Sequence, residues 1–271
     1  MSHLTHLTLC TGIGGIDLAA EWAGFTTIGQ CEIDGYASRV LEKNFKGIKN
    51  YGDIKSITAD RLFTEDGIRP GEITVISAGF PCQPYSLAGK GKGDGDERDL
   101  WTEVARVVGE LKPRWFVGEN VPGLLTRGNS RYFRRILAGL AALGYTVTWG
   151  VWGAYEIGAR HKRDRVFLVA YASSKRRRIM DKNKESGCPN VDLQNINDAF
   201  AQGSQPLTED ILRFFVERQF TKPSCGVLRN DNGLSKGVDR LRCLGNAVVP
   251  HQIYPIFKAI AEIENSITKC I

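Results

Sequence analysis

The 271-residue sequence contains no run approaching the 18 or so consecutive apolar residues that a membrane-spanning helix needs. Its first residues, MSHLTHLTLCTG, lack a charged stretch followed by a long apolar run, so no secretory leader is expected. Seven cysteines, an odd number, stand at positions 10, 31, 82, 188, 225, 243 and 270 without the close pairs of a zinc site or a disulfide framework. The four histidines, His3, His6, His161 and His251, have no ligand-like spacing either, so no metal is expected. His3 and His6 are expected in a frayed N-terminus. No internal repeat is present. Together these absences predict a reduced, cytoplasmic protein that is neither secreted nor membrane-bound.

What is present is an ordinary globular composition, 42% hydrophobic and 24% charged, enough for one main domain with a small appendage. The formal charge of +6 and a pI near 8.9 favour a polyanionic partner without requiring one.

Through residue 171 the chain alternates short β-rich apolar runs with helical periodicity, which predicts an α/β fold with a parallel sheet flanked by helices. Strands are predicted at Leu7 to Cys10, Thr26 to Cys31, Ile73 to Ser77, Trp115 to Gly118, Thr146 to Trp152 and Val166 to Tyr171. The stripe Trp101, Val104, Ala105, Val108, Leu111 predicts one helix, and Phe133, Ile136, Leu137, Leu140, Leu143 predicts another. After Tyr171 apolar residues nearly vanish in SSKRRRIMDKNKESGCPN, which marks a boundary or large insertion. The end of the chain, Ile253, Ile256, Phe257, Ile260 and Ile263, predicts an amphipathic helix that packs back on the sheet. The expected organisation is a catalytic domain over 1–171, an irregular segment over 172–239, and a terminal block over 240–271.

Two loops carry chemical information. Leu7 to Gly15 reads as a strand entering a glycine turn, Gly12-Ile13-Gly14-Gly15, before a helix from Ile16 to Ala23. Such glycines bring backbone amides close to a ligand. Glu32, about 20 residues beyond the turn, ends the next strand where an acid can accept from ribose hydroxyls. Asp53 stands on the same expected edge, either as a contact to an adenine amino group or as a turn cap. A nicotinamide or flavin dinucleotide fits this turn as well as any other nucleotide. In the second loop the strand ending at Ser77 opens into Ala78-Gly79-Phe80-Pro81-Cys82-Gln83-Pro84-Tyr85-Ser86. A cysteine between two prolines at the carboxyl end of a strand is displayed toward the crevice where open α/β sheets bind ligands, a placement suited to a nucleophile. No other cysteine has such a ligand-facing context in the sequence.

Gly79-Phe80-Pro81-Cys82-Gln83 resembles the catalytic loop of the DNA (cytosine-5) methyltransferases, and the other blocks of that family follow in order. Glu119-Asn120-Val121 matches its Glu-Asn-Val block. His161 to Arg165 resembles its Gln-x-Arg-x-Arg block, and Gly245-Asn246-Ala247-Val248 is similar to its final Gly-Asn-Ser/Ala-Val block. The resemblance implies a Rossmann-like S-adenosyl-L-methionine-dependent sheet with helices on both faces and a small target-recognition segment. It implies a cofactor pocket formed by Cys10, Gly12, Ile13, Gly14, Gly15, Glu32, Ile33, Asp53, Ile54, Pro81, Leu100, Asn246 and Ala247.

The same resemblance implies the chemistry. Carbon 5 of cytosine is a poor nucleophile, so Cys82 adds to carbon 6 as a thiolate. Glu119 supplies a proton or strong hydrogen bond at ring nitrogen 3. Arg165 holds the carbonyl oxygen at position 2, and Arg163 orients the acid or the sugar-phosphate. For either arginine taken alone a surface ion pair is the commoner reading. The target base must leave the duplex, and the glycine-rich loop up to Arg98 has the composition to close over it. Gln83, Ser86, Arg176, Arg177 and Arg178 would contact double-stranded DNA, although the arginine run reads equally as a solvated face. A monomer is expected, with a cognate restriction endonuclease as a further potential partner.

The sequence also departs from the family. Cys10 replaces a Phe, Thr8 an Asp and His161 a Gln, and the Arg-rich block before the final motif is missing, as in compact methyltransferases of phages and mobile elements. Rival readings are a tRNA cytosine-5 methyltransferase, a silent DNA-binding relative, and a dinucleotide oxidoreductase that uses only the glycine turn.

Overall fold

The computed structural model describes residues 4–81, 100–159, 161–172, 243 and 245–269. Six strands form one sheet: β1 (Thr5–Leu9), β2 (Thr26–Cys31), β3 (Val75–Ala78), β4 (Trp115–Asn120), β5 (Tyr145–Trp152) and β6 (Arg165–Ala172), in the order β2-β1-β3-β4-β6-β5. All six predicted strands are present. The expectation of a parallel sheet needs correction, because β6 runs antiparallel to both β4 and β5. Between Trp152 and Arg165 the chain turns back on itself without a crossover helix, so β6 pairs with β5 from Trp152 opposite Arg165 to Tyr145 opposite Ala172.

Both faces of the sheet are covered, which is why its strands read as nearly continuous apolar runs. Leu7, Leu9, Ile76, Phe116 and Leu168 point to one side, beneath α3 (Ala59–Asp66), α4 (Trp101–Leu111) and α6 (Arg131–Ala142). Val75, Trp115, Val117, Phe167 and Val169 point to the other, beneath α1 (Gly15–Trp22) and the C-terminal α7 (Pro250–Lys269). The remaining helices are α2 (Gly35–Asn44) and the single turn α5 (Gly123–Thr126). Fully burying a side chain such as Phe116, Phe167 or Phe257 contributes about 1.5–3 kcal/mol each. α7 is fastened by polar contacts as well: Trp115 Nε1 donates to Glu264 Oε1 at 2.8 Å, and Arg114 pairs with the same carboxylate at 2.9 Å.

His6 corrects the expectation of a frayed end. It lies in β1, completely buried, with Nε2 2.8 Å from Ser77 Oγ and Nδ1 3.4 Å from Thr27 Oγ1. Its ring meets Phe257 edge-on at 5.2 Å. Burial drives its pKa down to about 3, so the ring is neutral. His3 lies outside the described residues.

Candidate active site

The carboxyl ends of β1, β2, β3 and β4 lie along one edge of the sheet, and the reversal of β6 brings its first residue, Arg165, to that same edge. A cleft of about 670 Å³ opens there. It is lined by Cys10, Gly12, Glu32, Ile33, Asp53, Ile54 and Asn246, by Pro81 and Leu100 from the two ends of the cysteine loop, and by Glu119 and Arg165. Residues separated by more than 200 positions in sequence thus face one space.

The glycines of the turn divide into two kinds. Gly12 has φ +61°, and a Cβ added to it would meet nothing within 4 Å, so its backbone is open to an occupant. Gly14, at φ +87°, is packed so closely that an added Cβ would come within 2.2 Å of the Phe45 ring. At Gly15 the obstruction is the Val248 carbonyl oxygen, also at 2.2 Å. Gly14 and Gly15 therefore serve internal packing, of α1 on α2 and on the C-terminal block. With Ile13 and Ala247 they do not line the cleft.

Glu32 braces the turn. One carboxylate oxygen accepts from the Gly12 amide at 2.7 Å and the other from the Asp34 amide at 2.8 Å, so its two oxygens are fixed in place with lone pairs still available. Asp53 is both a cap and a wall residue: Oδ1 accepts from the Lys55 amide at 3.0 Å and starts the turn Ile54–Ser56. That turn is held from α4 by Arg106, whose guanidinium donates to the carbonyls of Ile57 at 2.8 Å and Ile54 at 3.0 Å. Sequence reasoning missed Arg106, since an arginine between valines on an amphipathic helix reads as a solvated residue.

Cys10, Cys31 and Cys243 all reach the cleft, which corrects the expectation that Cys82 alone has a ligand-facing context. Burial raises the Cys10 thiol far above its ordinary range and pushes Cys31 up to about 12, and Cys31 Sγ donates to the Gly52 carbonyl at 3.1 Å. These two are protonated thiols at neutral pH, with none of the thiolate character a nucleophile needs.

The acid and its arginine form the opposite wall. Glu119 is the penultimate residue of β4 and Arg165 the first of β6, both on the face covered by α1 and α7, with Arg165 Nε 2.8 Å from Glu119 Oε1. Burial raises the Glu119 carboxyl to about 7, against the opposing pull of Arg165 and Arg163. A carboxyl so placed is divided between its protonated and ionised forms near neutrality, as a proton donor requires. Asn120, one residue on and facing the other way, donates from Nδ2 to the Phe80 carbonyl at 2.9 Å, fixing the entrance to the cysteine loop. Phe80 packs against Trp101 with ring centres 5.5 Å apart.

Arg163 acts on the Glu119 carboxyl through its charge and also reaches the C-terminal block. Its Nη2 donates to the Gly245 carbonyl at 2.7 Å and also to the Ala247 carbonyl. Cys82, Gln83, Ser86, Arg176, Arg177 and Arg178 lie outside the described residues.

The decisive comparison is with protein families: residues 4–223 match the model of the C-5 cytosine-specific DNA methylases. The chain belongs to that family. Its curated relatives include the Type II methyltransferase M.NgoBI of Neisseria gonorrhoeae, 39% identical over 62% of this chain and 50% of the relative. M.FnuDI of Fusobacterium nucleatum is 30% identical over 78% of this chain and 65% of the relative. The chain thus spans about half the length of M.NgoBI and of several others it matches. Among solved structures, an E. coli prophage-encoded chain described as a DNA modification methyltransferase superposes with a TM-score of 0.54 at 28% identity, over 64% of this chain and 47% of that one. A Spodoptera frugiperda DNMT2 chain shares the fold, with a TM-score of 0.51 at 21% identity, over 63% of this chain and 50% of that one.

The cytosine-C5 methylase cleft fits a nucleoside-bearing methyl donor on its own geometry. The unobstructed Gly12 leaves room for close approach, Glu32 and Asp53 present acceptors along the same wall, and Cys10, Ile33 and Ile54 supply apolar surface. Where an aromatic stands in other cytosine-C5 methylases, the half-buried Cys10 leaves a shallower wall. Thr8, in the place of the family's Asp, donates to the buried Asp17 at 2.6 Å, so a carboxylate is retained near that position from α1 instead of β1.

Proposed function

We propose that the protein is a DNA (cytosine-5) methyltransferase that transfers a methyl group from S-adenosyl-L-methionine to carbon 5 of a flipped-out cytosine in double-stranded DNA. The observation that carries this reading is the Glu119–Arg165 pair: a buried carboxyl raised to about 7 with a guanidinium 2.8 Å away, at the rim of a cleft lined by the turn from β1. S-adenosyl-L-methionine, bound along Gly12, Glu32, Ile33, Asp53, Ile54 and Asn246, supplies an electrophilic methyl group.

The protein's own residues do the rest. Cys82, one position beyond the cleft-lining Pro81, adds as a thiolate to carbon 6 of the base, forming a carbon–sulfur bond and moving an electron pair toward ring nitrogen 3. Protonated Glu119 delivers its proton to that nitrogen, and Arg165 holds the neighbouring carbonyl oxygen. After methylation, the carbon 5 proton passes to solvent water, its electron pair expels Cys82 as a thiolate, and the proton on nitrogen 3 returns to Glu119, restoring aromaticity and the starting enzyme. Asn120 holds the Phe80 carbonyl at the entrance to the cysteine loop. We assign recognition of a DNA sequence to residues 172–239, with the protein acting as a monomer.

The test is transfer of tritium from labelled S-adenosyl-L-methionine to genomic DNA, with tRNA and a Cys82→Ala variant in parallel, followed by sequencing of the methylated cytosines. Label in DNA at one short motif, abolished in the variant, is the expected result. Label confined to tRNA moves the substrate class, and label that survives in the variant overturns the nucleophile.

A further inference from the structure

Two arginines stand two residues apart at the start of β6, and they have different partners. Arg165 faces Glu119. Arg163 reaches across to the C-terminal block and donates to the carbonyls of Gly245 and Ala247, the residues on either side of Asn246. Asn246 lines the cleft, whereas Ala247 does not. The link is reinforced from the other side: Gln252 Nε2 in α7 donates to the Arg163 carbonyl at 3.0 Å and to the Trp152 carbonyl at 3.2 Å, and Trp152 Nε1 donates to the Gln252 carbonyl at 2.9 Å. Arg163 itself has φ +40°, a left-handed conformation that a non-glycine residue holds only when its surroundings over-determine it. That backbone twist turns the side chain toward the terminal block while Arg165, back in regular strand geometry, turns to the acid.

We propose that Arg163 is a positioning residue for the methyl donor: by gripping the backbone on both sides of Asn246, it holds that side chain in the cofactor wall of the cleft. This rests on the cleft being the S-adenosyl-L-methionine site. The two arginines then divide the reaction between them, Arg165 serving the base and Arg163 the cofactor. A guanidinium suits the task because one nitrogen, Nη2, donates to both carbonyls while the planar group stays charged at any ordinary pH.

The experiment measures binding of S-adenosylhomocysteine to DNA-free protein by calorimetry, with steady-state kinetics alongside, for wild type, Arg163→Met, Arg163→Lys and Asn246→Ala. Loss of charge-assisted bonds to two carbonyls is expected to weaken binding about tenfold or more in Arg163→Met, with Arg163→Lys in between. The KM for the methyl donor should rise in step in both Arg163→Met and Arg163→Lys, while the KM for DNA changes little; kcat falls further in Arg163→Met than in Arg163→Lys, because only the first also removes a charge that acts on Glu119. Asn246→Ala should weaken binding by a similar factor, and adding Arg163→Met to it should cost little more, because both changes disable one contact. Cofactor affinity within twofold of wild type in a folded Arg163→Met protein, with weakened DNA binding, would make Arg163 a phosphate contact and overturn the proposal. Failure of wild type to bind S-adenosylhomocysteine would instead remove the reading of the cleft on which it rests.

Discussion

The side-chain amide of Asn120 donates to the main-chain carbonyl of Phe80 over 2.9 Å, joining the end of β4 to the end of the β3 loop one residue before Pro81. The same side chain accepts from the Val121 amide at 2.9 Å, so it is held at both ends. Asn120 is 3% exposed, so its polar atoms depend on these protein partners.

Replacing Asn120 with Ala leaves the Phe80 carbonyl without its donor, at a cost of about 1–3 kcal/mol. Urea denaturation should show that loss. Single-turnover methylation should slow while S-adenosylhomocysteine affinity stays near that of wild type, since Asn120 fixes the nucleophile's loop. A parallel loss of cofactor affinity would mean that the whole edge of the sheet had shifted.

Glu119 gives stability a pH dependence with a definite sign. Its folded pKa, about 7, lies above the ordinary value of 4.5, so the native state binds the proton more tightly than the unfolded chain. The contribution is fully present below about pH 4.5 and is lost as the pH rises through about 7. Glu119→Gln should therefore flatten the fall in urea midpoint between pH 5 and pH 8 relative to wild type, while lowering the methylation rate by about 10²–10⁴-fold. Equal slopes for the two proteins would place the perturbed acid elsewhere, with Asp17, raised to about 6 by burial, the next to examine.

His6 acts in the opposite sense. Its folded pKa near 3 lies below the ordinary 6.5, so its contribution is present above about pH 6.5 and is lost as the pH falls toward 3. Thermal melts at pH 4.5 and pH 7 should differ less for His6→Gln than for wild type. An unchanged difference would mean that other groups govern acid sensitivity.

The glycine turn should separate folding from binding. Gly14→Ala places a methyl group 2.2 Å from the Phe45 ring as well as at positive φ, and should lower Tm substantially. Gly12→Ala meets no atom and bears only the left-handed backbone strain, about 1–2 kcal/mol. It should keep most of the stability and lose affinity for S-adenosylhomocysteine. The reverse pattern would mean that the cofactor does not approach Gly12.

Much of the sheet could be read from the sequence because each strand is a short apolar run bounded by turn residues, and α4 and α6 repeat their apolar stripe cleanly. Strand direction could not, since alternation along β6 is the same read either way. His6 escaped notice because a polar residue so near the start of a chain looks like an end; its position between the buried residues of β1 was the available signal. Glu119 and Arg165 were legible through short motifs. The long-range partners of Asn120, Arg106 and Arg163 were not, because each is a main-chain carbonyl about 40 or more positions away, and carbonyls leave no mark in a sequence.

The reversed direction of β6 has a consequence for how the site could have been assembled. Had the strand run with its neighbours, its first residue would begin at the opposite edge, about 26 Å away over eight residues at roughly 3.3 Å each. Reversal lets the short return from β5 deliver both arginines directly to the rim, then carries the chain down to Ala172 on the edge remote from the cleft, opposite Tyr145. Ala172 thus lies a full strand length from the acid. Cys243 stands again in the cleft wall. Strand pairing therefore fixes the carboxyl and its guanidinium at the start of β6, so that their register is set before the chain reaches Ala172.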